Sequence, residues 1–228
     1  MQKLVYIDAC VREGDSRTRR IAEPIVAALA KKYEITAYHL AQMDIKPLNA
    51  ESYAARVAGD IPEWATKAAK AIAAADAVVI AAPFWDMSIP AILKTFIEHT
   101  SLFGITFDSN DRTCLGLCRS RGVMYITTRG MAIPTGSPLD QGTSYIKAIS
   151  RLWGLGSVFT IVPFLFQLQA LRKLSAFTVN LTYNLEPVYS IALAALLFHE
   201  TREVGWSFWL GLTLIVLSVI LQNRRVAR

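Results

Sequence analysis

The chain has 228 residues, 53% of them hydrophobic, with a mean hydropathy of +0.34 and a formal net charge of +6. That length holds one large domain, or one of roughly 150 residues with an appendage. From residue 151 onward seven arginines and lysines stand against three glutamates, so the positive charge belongs mainly to a charge-poor tail. Such a pattern suits basic residues flanking membrane spans and argues against a nucleic-acid-binding patch.

In chain order, "KLVYIDA" (3–9) reads as a buried strand, followed by a polar loop and the amphipathic helix "TRRIAEPIVAALAKKY". Pro24 lies near the first turns of that helix, where a proline costs least. "EITAYHL" (34–40) alternates like a strand, and "PEWATKAAKAIAAA" (62–75) is an alanine-rich helix. "DAVVIAAP" (76–83) is a second buried strand, "IPAILKTFIEHTSLF" (89–103) a helix, and "GVMYITT" (122–128) a third buried strand. "GTSYIKAISRLWG" (142–154) is again helical. Strands alternating with helices, several apolar on both faces, predict a parallel sheet covered on each side.

After Gly156 the pattern changes. Windows 154–171 and 204–222 carry no charge, and 174–198 carries only Glu186. All three have the length of a membrane span, but "SVFTIV" within the first also reads as a last sheet strand. Cys10, Cys114 and Cys118 form neither a metal-ligand pattern nor an even disulfide set, which points to a reducing compartment and no metal. "MQKLVYIDAC" is too short and polar-flanked for a signal peptide.

Three strand-end loops carry candidate chemistry. "ACVREGDSRTRR" (9–20) brings Gly14, Ser16, Thr18 and several arginines to a helix N-terminus. Free N–H groups and the helix dipole favour an anion such as phosphate there; an ordinary N-cap with solvated arginines explains the same residues. "APFWDMS" (82–88) sets Phe84 and Trp85 where open α/β sheets bind ligands, to flank a flat ring or to lid the core. In "TTRGMAIPTG" (127–136), Gly130 permits close backbone approach.

Together with "AAPFWDMSIPAILKTFIEHTSLFGITF" and "YITTRG", the first loop resembles the flavodoxin-like NAD(P)H-dependent oxidoreductases, above all the FMN-dependent NADH-azoreductases, over residues 2–156. The resemblance implies a sheet of order 2-1-3-4-5 and a first loop holding the FMN phosphate, matching Cys10, Ser16, Arg17 and Thr18. It implies a second loop wrapping the flavin ring, matching Phe84, Trp85, Asp86 and Met87, and a third at the ring's pyrimidine edge, matching Thr128, Arg129, Gly130 and Met131. The family commonly has Asn where Asp86 stands and a second Gly where Met131 stands, so Met131 is expected to crowd the ring. The implied chemistry runs from NADH or NADPH through FMN to a small-molecule electron acceptor, a quinone or azo compound, in a cytoplasmic homodimer. It needs no protein acid–base pair, which leaves His99 as a helix or interface residue.

The tail sequences "SAFTVNLTYNLEPVYSIALAALLFHE" and "FWLGLTLIVLSVIL" resemble the last spans of drug/metabolite (EamA-like) transporters, over residues 158–222. The expected domains are therefore 1–156, extending to 162 if the last strand joins the sheet, and a hydrophobic helical tail over 163–228. Two spans, 174–198 and 204–222, would set the basic pairs Arg172–Lys173 and Arg224–Arg225 on the inner face of the cytoplasmic membrane. The alternative is a transporter-derived membrane protein, or an accidental fusion, with a vestigial front domain.

Overall fold

The apolar run at the start forms strand β1 (Gln2–Asp8), followed by helix α1 (Arg17–Leu29) and strand β2 (Tyr33–His39). Helices α2 (Ala50–Val57) and α3 (Glu63–Ala74) lead to β3 (Ala77–Ala81). After α4 (Ala91–Thr100) come a short antiparallel hairpin, β4 (Phe107–Ser109) and β5 (Cys114–Gly116), then β6 (Gly122–Ile126), α5 (Gln141–Trp153) and β7 (Ser157–Ile161). This computed structural model describes residues 1–110, 113–131 and 133–162. The chain divides into a unit over Met1–Leu165 and a second over Phe166–Arg228.

The five longer strands pair in parallel in the order β2-β1-β3-β6-β7. With the β4–β5 hairpin set aside as an excursion between α4 and β6, this is the expected 2-1-3-4-5 order. The chain leaves β1 to one side for β2 and returns on the other for β3, so the loops after β1 and β3 part at the carboxyl edge and open a crevice there.

Burial on both faces explains why the central strands read as unbroken apolar runs. Val5 and Ile7 of β1 face a core with Ile72 of α3, Phe96 of α4 and Ile146 and Trp153 of α5. Leu4 and Tyr6, one step out of phase, pack with Val79 and Ile126 against Ala22, Ile25 and Leu29 of α1. In α3 the alanines at 65, 68 and 69 have no exposed surface, so small side chains let that helix lie close against its neighbours.

Four differences from the sequence reading have physical causes. Helix α1 ends at Leu29 rather than at Tyr33, because Tyr33 already pairs with Gln2 in the sheet. Pro24 is the eighth of that helix's 13 residues, well inside it, and the helix runs on through it. Helix α2 was not expected; a reciprocal cap between Asn49 and Ser52 starts it. The segment 157–161, open between strand and span, is strand β7, paired with β6 from Gly122↔Ser157 to Ile126↔Ile161. Among the described residues no helix is long and apolar enough to cross a membrane. The windows 174–198 and 204–222 lie outside the described residues.

Candidate functional site

The first loop leaves β1 at Asp8, whose carboxylate is 2% exposed and tightly partnered. One oxygen accepts the Cys10 N–H at 3.0 Å. The other lies 3.1 Å from both Arg19 Nε and His39 Nδ1. This cluster around the buried carboxylate ties the loop to the first turn of α1 and to the end of β2. A single 3-10 turn, Glu13–Asp15, then delivers Ser16 as the N-cap of α1, its Oγ accepting the Arg19 N–H at 3.3 Å. The capping reading of Ser16 is thus correct, and the same residue also lines a cavity.

That cavity, about 260 Å³, lies between the three loops. Arg12, Asp15, Ser16, Arg17 and Thr18 form one side, Pro83, Phe84 and Trp85 another, and Thr128, Arg129 and Gly130 the third. Thr18 and Thr128 share a buried hydroxyl–hydroxyl hydrogen bond of 2.7 Å, which joins the first loop to the third. At Gly130 a Cβ would meet nothing within 4 Å, so the backbone there is open to a ligand.

Eight of the twelve residues expected from the sequence line this cavity. Cys10 does not: it is 1% exposed, packs with the α1 side of the sheet, and its Sγ–H points to the Ala81 carbonyl at 3.7 Å. Met131 is not among the residues that line the cavity, and it is 56% exposed next to Gly130. Asp86 and Met87 sit at the tip of the second loop, and Asp86 lines a second cavity of about 590 Å³ that shares Trp85 with the first. Arg12, Asp15 and Pro83 also line the first cavity, although the resemblance did not match them to the cofactor; all three lie within the loops "ACVREGDSRTRR" and "APFWDMS" that the sequence singles out. His99 is buried on α4, its Nε2 2.9 Å from the Lys46 carbonyl and its ring against Trp64, a structural setting.

The second loop is strained. Trp85 and Ser88 bond each other in both directions, at 3.1 and 2.7 Å, across Asp86 and Met87, whose φ angles are +47° and +63°. Two successive left-handed residues make a tight turn that favours Asn-Gly, and here it is made by Asp86 and Met87. Left-handed backbone costs a non-glycine residue about 1–2 kcal/mol. Met87→Gly is therefore expected to stabilise the domain by about 0.5–1 kcal/mol after the extra chain entropy of glycine, read as a rise in the thermal midpoint. A fall would mean that the Met87 side chain contributes more than its turn costs.

In the third loop the Arg129 guanidinium is spent on protein partners. Nη1 donates to the Ile133 carbonyl at 2.7 Å, and Nη2 to Asp140 Oδ2 at 2.7 Å and Thr143 Oγ1 at 3.3 Å. The guanidinium carbon lies 4.9 Å from the centre of the Phe84 ring. Asp140 is fully buried and caps α5; burial opposes its ionisation, but bonds from Gly136, Thr143 and Arg129 outweigh that and hold its carboxyl below the usual range.

Burial guards two of the three thiols. It pushes Cys10 up to about 12, a hydrogen bond to Ser16 pulling the other way, and it pushes Cys118 up to about 12 as well. Cys114 is exposed. Against an ordinary value of 9.0, such a shift leaves about a thousandfold less thiolate at pH 8. Brief iodoacetamide treatment should therefore label Cys114 alone, with Cys10 and Cys118 labelled only after denaturation. Peptide mapping by mass spectrometry checks this.

The family model for the flavodoxin-like fold matches residues 2–173, and that for the EamA-like transporter family matches residues 130–224. An FMN-dependent NADH:quinone oxidoreductase from Clostridium perfringens is 32% identical over 170 residues, which cover 71% of this chain and 85% of that protein. FMN-dependent NADH:quinone oxidoreductase 2 from Clostridium acetobutylicum is 33% identical over 171 residues, covering 71% and 86%. The crystal structure of an FMN-dependent NADH-azoreductase from Bacillus anthracis in complex with FMN shares the fold, with a TM-score of 0.58 at 17% identity over 71% of this chain and 87% of that one. The chain belongs to the flavodoxin-like family of FMN-dependent NADH:quinone oxidoreductases.

Proposed function

We propose that the domain is an FMN-dependent NAD(P)H oxidoreductase that passes reducing equivalents from NADH or NADPH to a quinone, an azo compound or a similar acceptor. The observation that carries this reading is the cavity between the loops after β1, β3 and β6. Its donor set fits FMN at both ends. Arg12, Arg17, Ser16 and Thr18 surround the N-terminus of a 13-residue helix, where a phosphate is favoured. Phe84, Trp85 and Gly130 offer aromatic walls and open backbone to a flat ring. Bound there, FMN would supply the hydride chemistry; Ser16, Thr18 and the arginines would hold its phosphate, and Phe84 and Trp85 would orient the ring and exclude water. The other expected residues, Cys10, Asp86, Met87 and Met131, would act at one remove, Cys10 by supporting the first loop from beneath.

The test is spectroscopic. Protein purified with added FMN should be yellow after gel filtration, lose its flavin absorbance on anaerobic addition of NADH, and regain it with a soluble benzoquinone. Colourless protein would overturn the reading and favour the rival, a transporter-derived protein with a vestigial front domain. The resemblance to the azoreductases supports a homodimer.

We infer further that the tail attaches this domain to the inner face of the cytoplasmic membrane through spans at 174–198 and 204–222. The charge-poor windows and the EamA-like match over 130–224 support this. Full-length protein that washes off membranes in carbonate would overturn it.

A further inference from the structure

Asp140 is a residue that no motif in the sequence singles out, yet it meets the cofactor cavity through one side chain. Its partner Arg129 lines that cavity and is 6% exposed. Both terminal nitrogens of Arg129 are bonded to protein, and its Nε is buried without a partner. What Arg129 still has to offer a ligand is therefore two N–H groups, on Nε and Nη1, and its charge. Asp140 governs both: its Oδ2 lies 2.7 Å from Nη2, fixing the plane of the guanidinium beside Phe84 and offsetting part of its charge. Gly136 N–H on the same oxygen, at 2.9 Å, and Thr143 N–H on the other, at 3.0 Å, fix the carboxylate in turn.

We propose that Asp140 is a positioning residue that sets the reduction potential of the cofactor by holding and offsetting the charge of Arg129. The inference rests on the reading of the cavity as an FMN site. Two-electron reduction adds negative charge to the flavin ring, and a bare cation at the ring's edge would stabilise that charge. A carboxylate on the cation withdraws part of the stabilisation. The bound cofactor is thereby kept a stronger reductant, better matched to acceptors that are hard to reduce.

The experiment measures the midpoint potential of bound FMN in wild type, D140N, D140E and R129M, with FMN and riboflavin affinities alongside. Asn is as good a helix N-cap as Asp, so D140N should keep α5 through the Thr143 N–H while removing the charge. It also replaces with an amide NH2 the oxygen that accepts from Gly136 and Arg129. D140N is expected to favour the reduced cofactor by at least about tenfold, which is about 30 mV in the positive direction for a two-electron couple. R129M should move the potential by a similar amount in the negative direction, and D140E should restore the wild-type value. The preference for FMN over riboflavin should stay as in wild type, because the phosphate end of the cavity is untouched.

A merely structural Asp140 would lower the thermal midpoint or FMN occupancy with no signed shift in potential. An unmoved potential, or D140N and R129M moving it in the same direction, overturns the inference while leaving the FMN reading intact. Should D140N fail to fold, R129M alone decides, since an unmoved or more positive potential there also overturns it. Wild-type protein that takes up no FMN overturns the cofactor reading, and this inference with it.

Discussion

Replacing Ser16 by aspartate is expected to weaken FMN binding by about a hundredfold while changing riboflavin binding little. Ser16 caps α1 and is 5% exposed on the wall of the cavity. Aspartate is an equally good cap, so the helix should remain. What changes is a carboxylate set where the phosphate belongs. At about 5 Å and an effective dielectric of about 20, two like unit charges repel by roughly 3 kcal/mol. Each ~1.4 kcal/mol is a factor of ten in affinity, which gives the hundredfold even after some screening by Arg12 and Arg17. Titration of intrinsic flavin fluorescence with both ligands measures it. Equal binding of FMN and riboflavin to the unmutated protein would show that the phosphate lies elsewhere and sink the assignment of Ser16, Arg17 and Thr18.

Gly116→Ala is expected to destabilise the domain by about 3 kcal/mol or more, at the upper end for inserting a methyl group into a packed interior. Gly116 ends β5, where the hairpin lies directly on the end of α5. A Cβ there would come within 2.2 Å of Gly154 N, 2.4 Å of the Trp153 carbonyl carbon and 2.5 Å of Gly154 Cα. All three are backbone atoms, so no rotamer can relieve the clash. Nor can the helix end shift freely. Gly154 closes it in a left-handed conformation with φ +74°, and Trp153, buried in the core, accepts the Cys118 N–H at 2.9 Å. Gly14→Ala is the control, because a Cβ there meets nothing within 4 Å; exposed changes of this kind usually stay within about 0.5 kcal/mol. Urea denaturation of both variants separates them. A loss below about 1 kcal/mol at Gly116 would mean that the hairpin moves aside at little cost.

Much of the carboxyl edge of the sheet is legible in the sequence. β1, β3 and β6 read as strands because burial on both faces makes them continuous apolar runs. Their ends are legible too, because the loops that follow abruptly change to hydroxyl, glycine and aromatic residues. Elements too short to show a period were lost. The hairpin strands have three residues each, and α2 has eight with a cap of Asn and Ser rather than the more familiar acidic pattern.

By itself, then, the sequence determined the alternating α/β class, the three loops that converge, and the residue types that suit an anion and a flat ring. Local composition and period carry that information, since each is imposed by neighbours a few positions away. Only the tertiary structure decided which way the side chains within those loops turn. Cys10 goes under the sheet because Asp8 bonds its amide and its thiol packs toward Ala81. Met131 turns to the outside past Gly130. Arg129 is committed to Asp140, 11 residues further along. Those choices depend on partners brought together by the order of the strands, and contacts of that kind leave no period in the sequence from which they could be read.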